Sequence, residues 1–332
     1  RPDVVLFNAH FTSFGTRKAP AALGLLTPMV LRLQGVRTLV VLHNLVDTVD
    51  LDAAGYGRGR LRNRLFLAAG RTVTRLVLRA DWVATTMPAY AEILRHRYRG
   101  ANVSHVPHGT FETPVDPPVD PPDGRRRILA FGKFGSYKRV DDLIEAFRLL
   151  RRTGGYDDVE LVVAGTDGPT TPGYLASVAA RHAGTPNLRF TGYVPEDGVA
   201  GLFASASLVV FPYTATTGSS GPLHQAGGYG RAVVAPRLGD LLDLIDDEGF
   251  AAEPFTPNDP DNLARVLGRV LDDDELRRRL GRTNHRAACG LPLATVAAHH
   301  VARARDLAHL TVTPHGPGAR ADRKSTRLNS SH

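Results

Sequence analysis

The stretch PYTATTGSSGPLHQAGGYGRAVV, residues 212–234, decides the fold. It reads as the end of a strand, a loop of small residues, a short helix, a tight turn and a second strand. The loop from Thr214 to Gly221 holds only small or hydroxyl-bearing residues, and Pro222 stands where a first helical residue would. A helix begun this way leaves backbone N–H groups unpaired at a partially positive end, where phosphate oxygens are natural ligands. No carboxylate occurs between Asp197 and Asp240, so nothing in the local sequence repels such an anion. An ordinary strand-to-helix loop has the same composition, so a second feature is needed.

That feature is FGKFGSYKR, residues 131–139, which follows a predicted strand. Gly132 and Gly135 permit a close turn, and Lys133 and Lys138 flank it. Of the 41 cationic residues only four are lysine (Lys18, Lys133, Lys138 and Lys324), so two within six positions is a concentration. Charge-assisted bonds from ammonium to phosphate are worth about 1.5–3 kcal/mol each, enough together to anchor a diphosphate.

Working outward, strand and helix patterns alternate along the chain. Strands are predicted at 128–131, 160–164, 188–191, 208–211, 232–235 and 250–253, with helices beginning near Val140, Tyr174, Pro195, Pro222, Asp240 and Pro260. This is the pattern of a doubly wound Rossmann-like domain. Upstream, strands at 4–7, 38–42, 82–85 and 103–106 alternate with helices at 61–79 and 88–98. His43, at the carboxyl end of such a strand, is a site candidate, because ligands bind there in open parallel sheets. Residues 113–124, TPVDPPVDPPDG, are too proline-rich for either element and read as a linker. The expected division is an N-terminal domain over 1–112, the linker over 113–124, a C-terminal domain over 125–290, a terminal helix over 291–311 and a disordered tail over 312–332. Residues 274–286 and 292–310 are expected to pair as terminal helices with solvated charges, and His299-His300 to lie on the surface.

Composition bounds the function. A chain of 332 residues with 42% hydrophobic content can bury two cores. The single cysteine, Cys289, excludes an internal disulfide and a cysteine zinc cluster, and fits a reducing compartment. The formal charge of +8 comes from arginine without a nucleic-acid motif, so no nucleic-acid partner is expected. Arginines 58, 60, 62, 64, 71, 75 and 79 share a helical stretch with Leu61, Leu65, Phe66, Leu76 and Leu78. That stretch is either a solvated outer face or a peripheral contact with anionic membrane. The triplet Asp50-Leu51-Asp52 is read as a chance match to a metal-binding pattern, and no metal site is expected.

The ordered set of motifs resembles the retaining GT-B-fold glycosyltransferases of family 4. Lys133 and Lys138 match that family's basic pair. VVAGTDGP (162–169), RFTGYVP (189–195) and PHGTF (107–111) look like its "GDGP", "F-x-G-x-V" and "PNG" landmarks, in the same order. VLHNL (41–45) and RADWVATTMPAY (79–90) resemble its N-domain landmarks.

The resemblance, over roughly residues 1–310, implies an α/β GT-B fold, two Rossmann-like domains facing across a cleft, with the N-terminal one incomplete. It implies a nucleotide-sugar donor of UDP, GDP or ADP type, a glycan, lipid-linked or small-molecule acceptor, and no cofactor or metal. Lys133 and Lys138 would neutralise the leaving diphosphate, with His43 near the donor sugar. Gly132, Gly165, Gly192, Tyr193, Thr217, Gly218, Ser219, Ser220, Gly221 and Gln225 would bind the donor. His10 would lie on the acceptor side. The implied setting is polysaccharide or glycoconjugate assembly in the cytoplasm, at the inner face of the membrane.

Two departures stand out. The family's two glutamates, eight positions apart, fall on Thr217 and Gln225, neither of them charged. This motivates an alternative, a catalytically degenerate nucleotide-sugar-binding partner or regulatory subunit. A non-hydrolysing nucleotide-sugar epimerase shares the fold, but the carboxylates it needs after the loop are missing. The second departure is at the ends. Arg1 falls inside what reads as an interior strand, so roughly 60–100 further residues are expected before it, and a chain without them is expected not to catalyse. Residues 322–332, DRKSTRLNSSH, resemble a translated sequencing adapter and are set aside.

Overall fold

The computed structural model describes residues 2–10, 13, 23–45, 60–100, 102–111, 113–114, 116–118, 124–135, 137–168, 171–215 and 220–309. The Asp50-Leu51-Asp52 triplet, much of the proline-rich stretch and the tail beyond 309 lie outside them.

Short runs of aliphatic and β-branched residues form strands that pair only in parallel. β1 (Val4–Ala9), β2 (Arg37–Leu42), β3 (Trp82–Thr85) and β4 (Val103–His105) make one sheet in that order. β5 (Arg127–Phe134), β6 (Glu160–Asp167), β7 (Leu188–Gly192), β8 (Leu208–Val210), β9 (Ala232–Pro236) and β10 (Glu253–Phe255) make a second, in the order β10-β9-β8-β5-β6-β7. β3, β8 and β9 are buried along their whole length, as strands covered on both faces must be. In the second sheet the chain starts in the middle and reverses direction between β5 and β8, which leaves a crevice beyond their carboxyl ends.

Helices α1 (Thr27–Leu33), α2 (Arg60–Val77) and α3 (Pro88–His96) belong to the first sheet. The second carries α4 (Val140–Arg152), α5 (Tyr174–Arg181), α6 (Glu196–Ala204), α7 (Gly221–Gly228), α8 (Gly239–Asp247), α9 (Pro260–Asp272) and α10 (Asp274–Gly290). Helix α4 shows how these form. Val140, Leu143, Ile144, Phe147 and Leu150 recur every three or four residues and are buried, while Asp141 and Asp142 at its start and Arg151 and Arg152 at its end complement the helix dipole. Each such side chain contributes about 1.5–3 kcal/mol by leaving water.

The two sheets share one core. Val40, Leu42, Met87 and Leu94 pack in the same cluster as Leu241, Leu244, Ile245 and Phe250. The chain crosses between them twice. At the second crossing Thr110 N–H donates to Leu291 O at 2.7 Å and Leu293 N–H donates to Thr110 O at 3.2 Å. Helix α11 (Leu293–His309) then lies on the other face of the first sheet, against Leu39, Val41 and Trp82.

This corrects several expectations. Helices α10 and α11 diverge at the crossing: α10 packs on α7 and β9, whereas α11 covers the first sheet. His299 is exposed as expected, but His300 is half-buried with its ring 5.6 Å from that of Trp82, because α11 seals a sheet face there. Strand β10 spans 253–255 rather than 250–253, since Phe250 turns inward against α7. Helix α1 was not predicted, because its seven residues give too few turns for a helical period to show.

β5 also runs on to Phe134, so Lys133 sits in the strand opposite Thr166 instead of after it. The extension depends on glycine. Gly132 and Gly165 lie opposite each other at φ +130° and +136°, and a Cβ on Gly165 would fall 1.8 Å from Gly132 O. Gly165→Ala is expected to destabilise the protein by about 3 kcal/mol or more, measured by urea unfolding. An unchanged midpoint would show that the strands can separate at no cost.

Candidate functional site

The crevice between β5 and β8 is built around Lys138. Its backbone is fixed on several sides: Lys138 N–H donates to Gly135 O at 2.9 Å, Tyr174 Oη donates to Lys138 O at 2.8 Å, and Lys138 bridges Tyr213 beyond β8. The side chain is only 7% exposed, with Nζ 4.7 Å from the Tyr213 ring centre and 5.5 Å from that of Phe134. Among the described residues no carboxylate pairs with it. Burial lowers the pKa of this ammonium and holds the tyrosine phenol of Tyr213 above its ordinary value. Ring faces attract a cation but do not replace a counter-ion, so an anion arriving here relieves a standing cost.

The N-terminus of α7 closes on the same point. A Cβ placed on Gly132 would lie 3.3 Å from Lys138 Nζ and 3.7 Å from Pro222 Cγ. The N-cap, Ser220, is buried and extended and makes no side-chain cap, so its hydroxyl does not satisfy the first turn's donors. Thr217, Gly218 and Ser219 lie outside the described residues. Lys133 is exposed on the strand beside this point.

The remaining donor-side candidates are spread out. Gly192 ends β7 at φ +68°, and Tyr193 beside it is 75% exposed, leaving a free aromatic face at the sheet's rim. Gln225 is half-buried and lines a small gap with Thr110, Thr113 and Pro114, beside the chain crossing between the two sheets.

Across the crevice the strands of the first sheet end in histidines. His10 and His43, after β1 and β2, stack with ring centres 4.3 Å apart and planes within 8°. Asn44 Oδ1 lies 3.0 Å from His10 Nδ1, and Asn8 Oδ1 lies 2.5 Å from His43 Nε2. A proton on Nε2 donated to Asn8 leaves His43 Nδ1 as an acceptor. His43 also meets His108 edge-on at 6.0 Å. His108 lies 5.5 Å from His224 on α7, whose Nε2 is 3.2 Å from Glu248 Oε2. Burial, with added repulsion from His10, His108 and His300, lowers the pKa of His43 to about 4. Burial and His224 lower that of His108 too. Both rings are therefore neutral at pH 7.

Residues 125–273 match the family described as glycosyl transferases group 1. Among curated relatives, an MMP alpha-(1->4)-mannosyltransferase of Mycolicibacterium hassiacum is 32% identical over 165 residues, covering 49% of this chain and 39% of that protein. The chain thus spans well under half of that relative's length in the match. Sucrose-phosphate synthase from Thermosynechococcus elongatus superposes with a TM-score of 0.71 at 18% identity, covering 93% of this chain and 74% of that one. Anabaena Alr3699/HepE in complex with UDP-glucose gives 0.67 at 14%, covering 92% and 79%. The fold is GT-B.

Within the group 1 segment, Lys138 and Pro222 at the α7 N-terminus both border Gly132, and His43 of the other sheet is linked to α7 through His108 and His224. Sequence reasoning missed His108, His224 and Glu248. His108 had one visible signal, a histidine inside PHGTF where the resembled landmark has asparagine. His224 is hidden by its place on a buried helix face, and Glu248 by a connection with no motif.

The depressed pKa of His43 predicts a pH dependence. Between pH 6.5 and 4 the unfolded chain takes up a proton that folded His43 refuses, so stability is full above 6.5 and falls as pH drops towards 4. In urea unfolding at pH 7 and 4.5, His43→Gln is expected to lose less stability than the parent. Equal losses in both proteins would contradict the assignment.

Proposed function

We propose that this chain is the donor-binding body of a glycosyltransferase that moves a sugar from a nucleoside-diphosphate donor to a glycan, lipid or small-molecule acceptor with retention of configuration. The observation that carries this reading is Lys138, a buried ammonium without a carboxylate partner among the described residues, beside Gly132 and the open N-terminus of α7. A diphosphate matches that arrangement in charge and in hydrogen-bonding. The family match over residues 125–273 and a neighbour of the same fold holding UDP-glucose support it.

Breaking the bond between the sugar's anomeric carbon and the diphosphate leaves negative charge on the phosphate. Lys138, Lys133 and the α7 N–H groups would stabilise that charge without reorganising. In this reading they supply the neutralisation and no metal is needed. Neutral His43 would orient the sugar from the opposite sheet by hydrogen bonding, with His10 beside it towards the acceptor. The exposed ring of Tyr193 is a stacking surface for the base. Among the described residues no helix is long and apolar enough to cross a membrane. In this scheme a lipid-linked acceptor would be met at the cytoplasmic surface of a membrane, with exposed Arg64 of α2 among the contacts.

Gln225 favours a second reading. An uncharged residue there can hold a hydroxyl but cannot offset developing positive charge on the sugar, as a donor-binding partner without turnover would not need to. A full-length protein that binds donor yet never transfers or hydrolyses it would establish this reading.

The test is calorimetric titration of the chain with UDP, GDP and ADP. One of them is expected to bind, and Lys133→Ala/Lys138→Ala to weaken it more than tenfold. Lys138→Met should also abolish binding while raising stability by about 1–3 kcal/mol, because it removes a buried charge. A folded chain that binds no nucleotide at millimolar concentration would end the reading.

A further inference from the structure

The row of rings continues past the cleft into the C-terminal core. His224 and Glu248 have no exposed side-chain surface, and their 3.2 Å contact lacks hydrogen-bond alignment. Among the described residues, no partner meets the ring nitrogens or the carboxylate oxygens with that alignment either. A buried acid–imidazole pair gains little stability by itself against the cost of removing both groups from water. Its position suits another role, since His224 is on α7, two residues after Pro222, and its ring stands 5.5 Å from that of His108.

His108 is the one ring of the row that borders both sides of the crevice. It meets His43 at 6.0 Å and Phe111 edge-on at 4.8 Å. Phe111 in turn reaches the first residue of α7, since a Cβ on Gly221 would lie 3.8 Å from Phe111 Cε2. Half-buried, His108 sits between the anion-binding end of α7 and the histidines of the first sheet. We propose that His108 is a sugar-contacting residue of this cleft and that the buried His224–Glu248 pair is its positioning element. The proposal rests on the donor-binding reading above. Glu248 lies against His224 and His224 against His108, so the buried pair positions the His108 ring by packing and not through a hydrogen-bonded relay. Nδ1 of the neutral His108 ring donates to Gly109 O at 3.2 Å, which leaves Nε2 to accept a hydrogen bond from a sugar hydroxyl.

The experiment compares UDP with UDP-glucose and GDP with GDP-mannose on the full chain, following histidine ring resonances and affinity together. The sugar nucleotide is expected to shift the His108 and His43 resonances beyond the shift given by its nucleotide. His108→Phe should cost about two- to tenfold in affinity for the sugar nucleotide, one hydrogen bond's worth, and leave the free nucleotide unchanged. Glu248→Gln and His224→Asn should lose the same increment, and His108→Gln, which keeps donor and acceptor atoms, should recover part of it. Should the core variants fail to fold, the two substitutions at half-buried His108 decide. Nucleotide binding with no sugar-specific change in any variant overturns the proposal alone. No binding of any nucleotide or sugar nucleotide to the parent chain overturns the donor reading and this proposal together.

Discussion

At the carboxyl ends of β5 and β6 two backbones approach until no methyl group fits between them. Glycine at 132 and 165 makes this approach sterically allowed, and much of the crevice depends on it. With both strands continuing past their usual end, the chain after Phe134 must fold back across the sheet. That return puts Lys138 in register with Tyr213 and under three aromatic rings. The same approach sets Lys138 Nζ and Pro222 of α7 directly over Gly132, where only a residue without a side chain leaves them room.

The two walls of the crevice differ in electrical character. The wall from the second sheet carries fixed positive charge, one lysine buried and one exposed, plus the end of a helix dipole. The facing wall carries imidazoles kept neutral by burial and mutual repulsion. A ligand with one anionic end and one uncharged, hydroxyl-rich end has a preferred orientation between such walls before any close contact forms. Because one apolar core and two chain crossings hold the sheets together, that polarity is built into the fold.

Much of the architecture was legible because local signals agreed with the global fold. Pro88, Pro222 and Pro260 each mark the start of a helix, and the apolar runs at 82–85 and 232–235 stand out as buried strands. The lysine pair was legible because lysine is scarce in this chain. What escaped notice depends on distance in sequence. Glu248 and His108 are far apart along the chain and meet only through His224, so no spacing rule could join them. The path of α11 was hidden for a similar reason: its period reads as an ordinary terminal helix, and the partner that covers it, Trp82, lies in the other sheet. Phe250 looked like a strand residue and became a core contact, since apolar character alone does not say which neighbour will bury it.

The position of α11 also bears on synthesis. The ribosome delivers β1 to β4 early, yet the helix that closes their second face is made only after the whole of the second sheet. At a translation rate of about 5–20 residues per second, that face waits on the order of ten to forty seconds for its cover. During this interval Leu39, Val41 and Trp82 are exposed to whatever else is nearby in the cell.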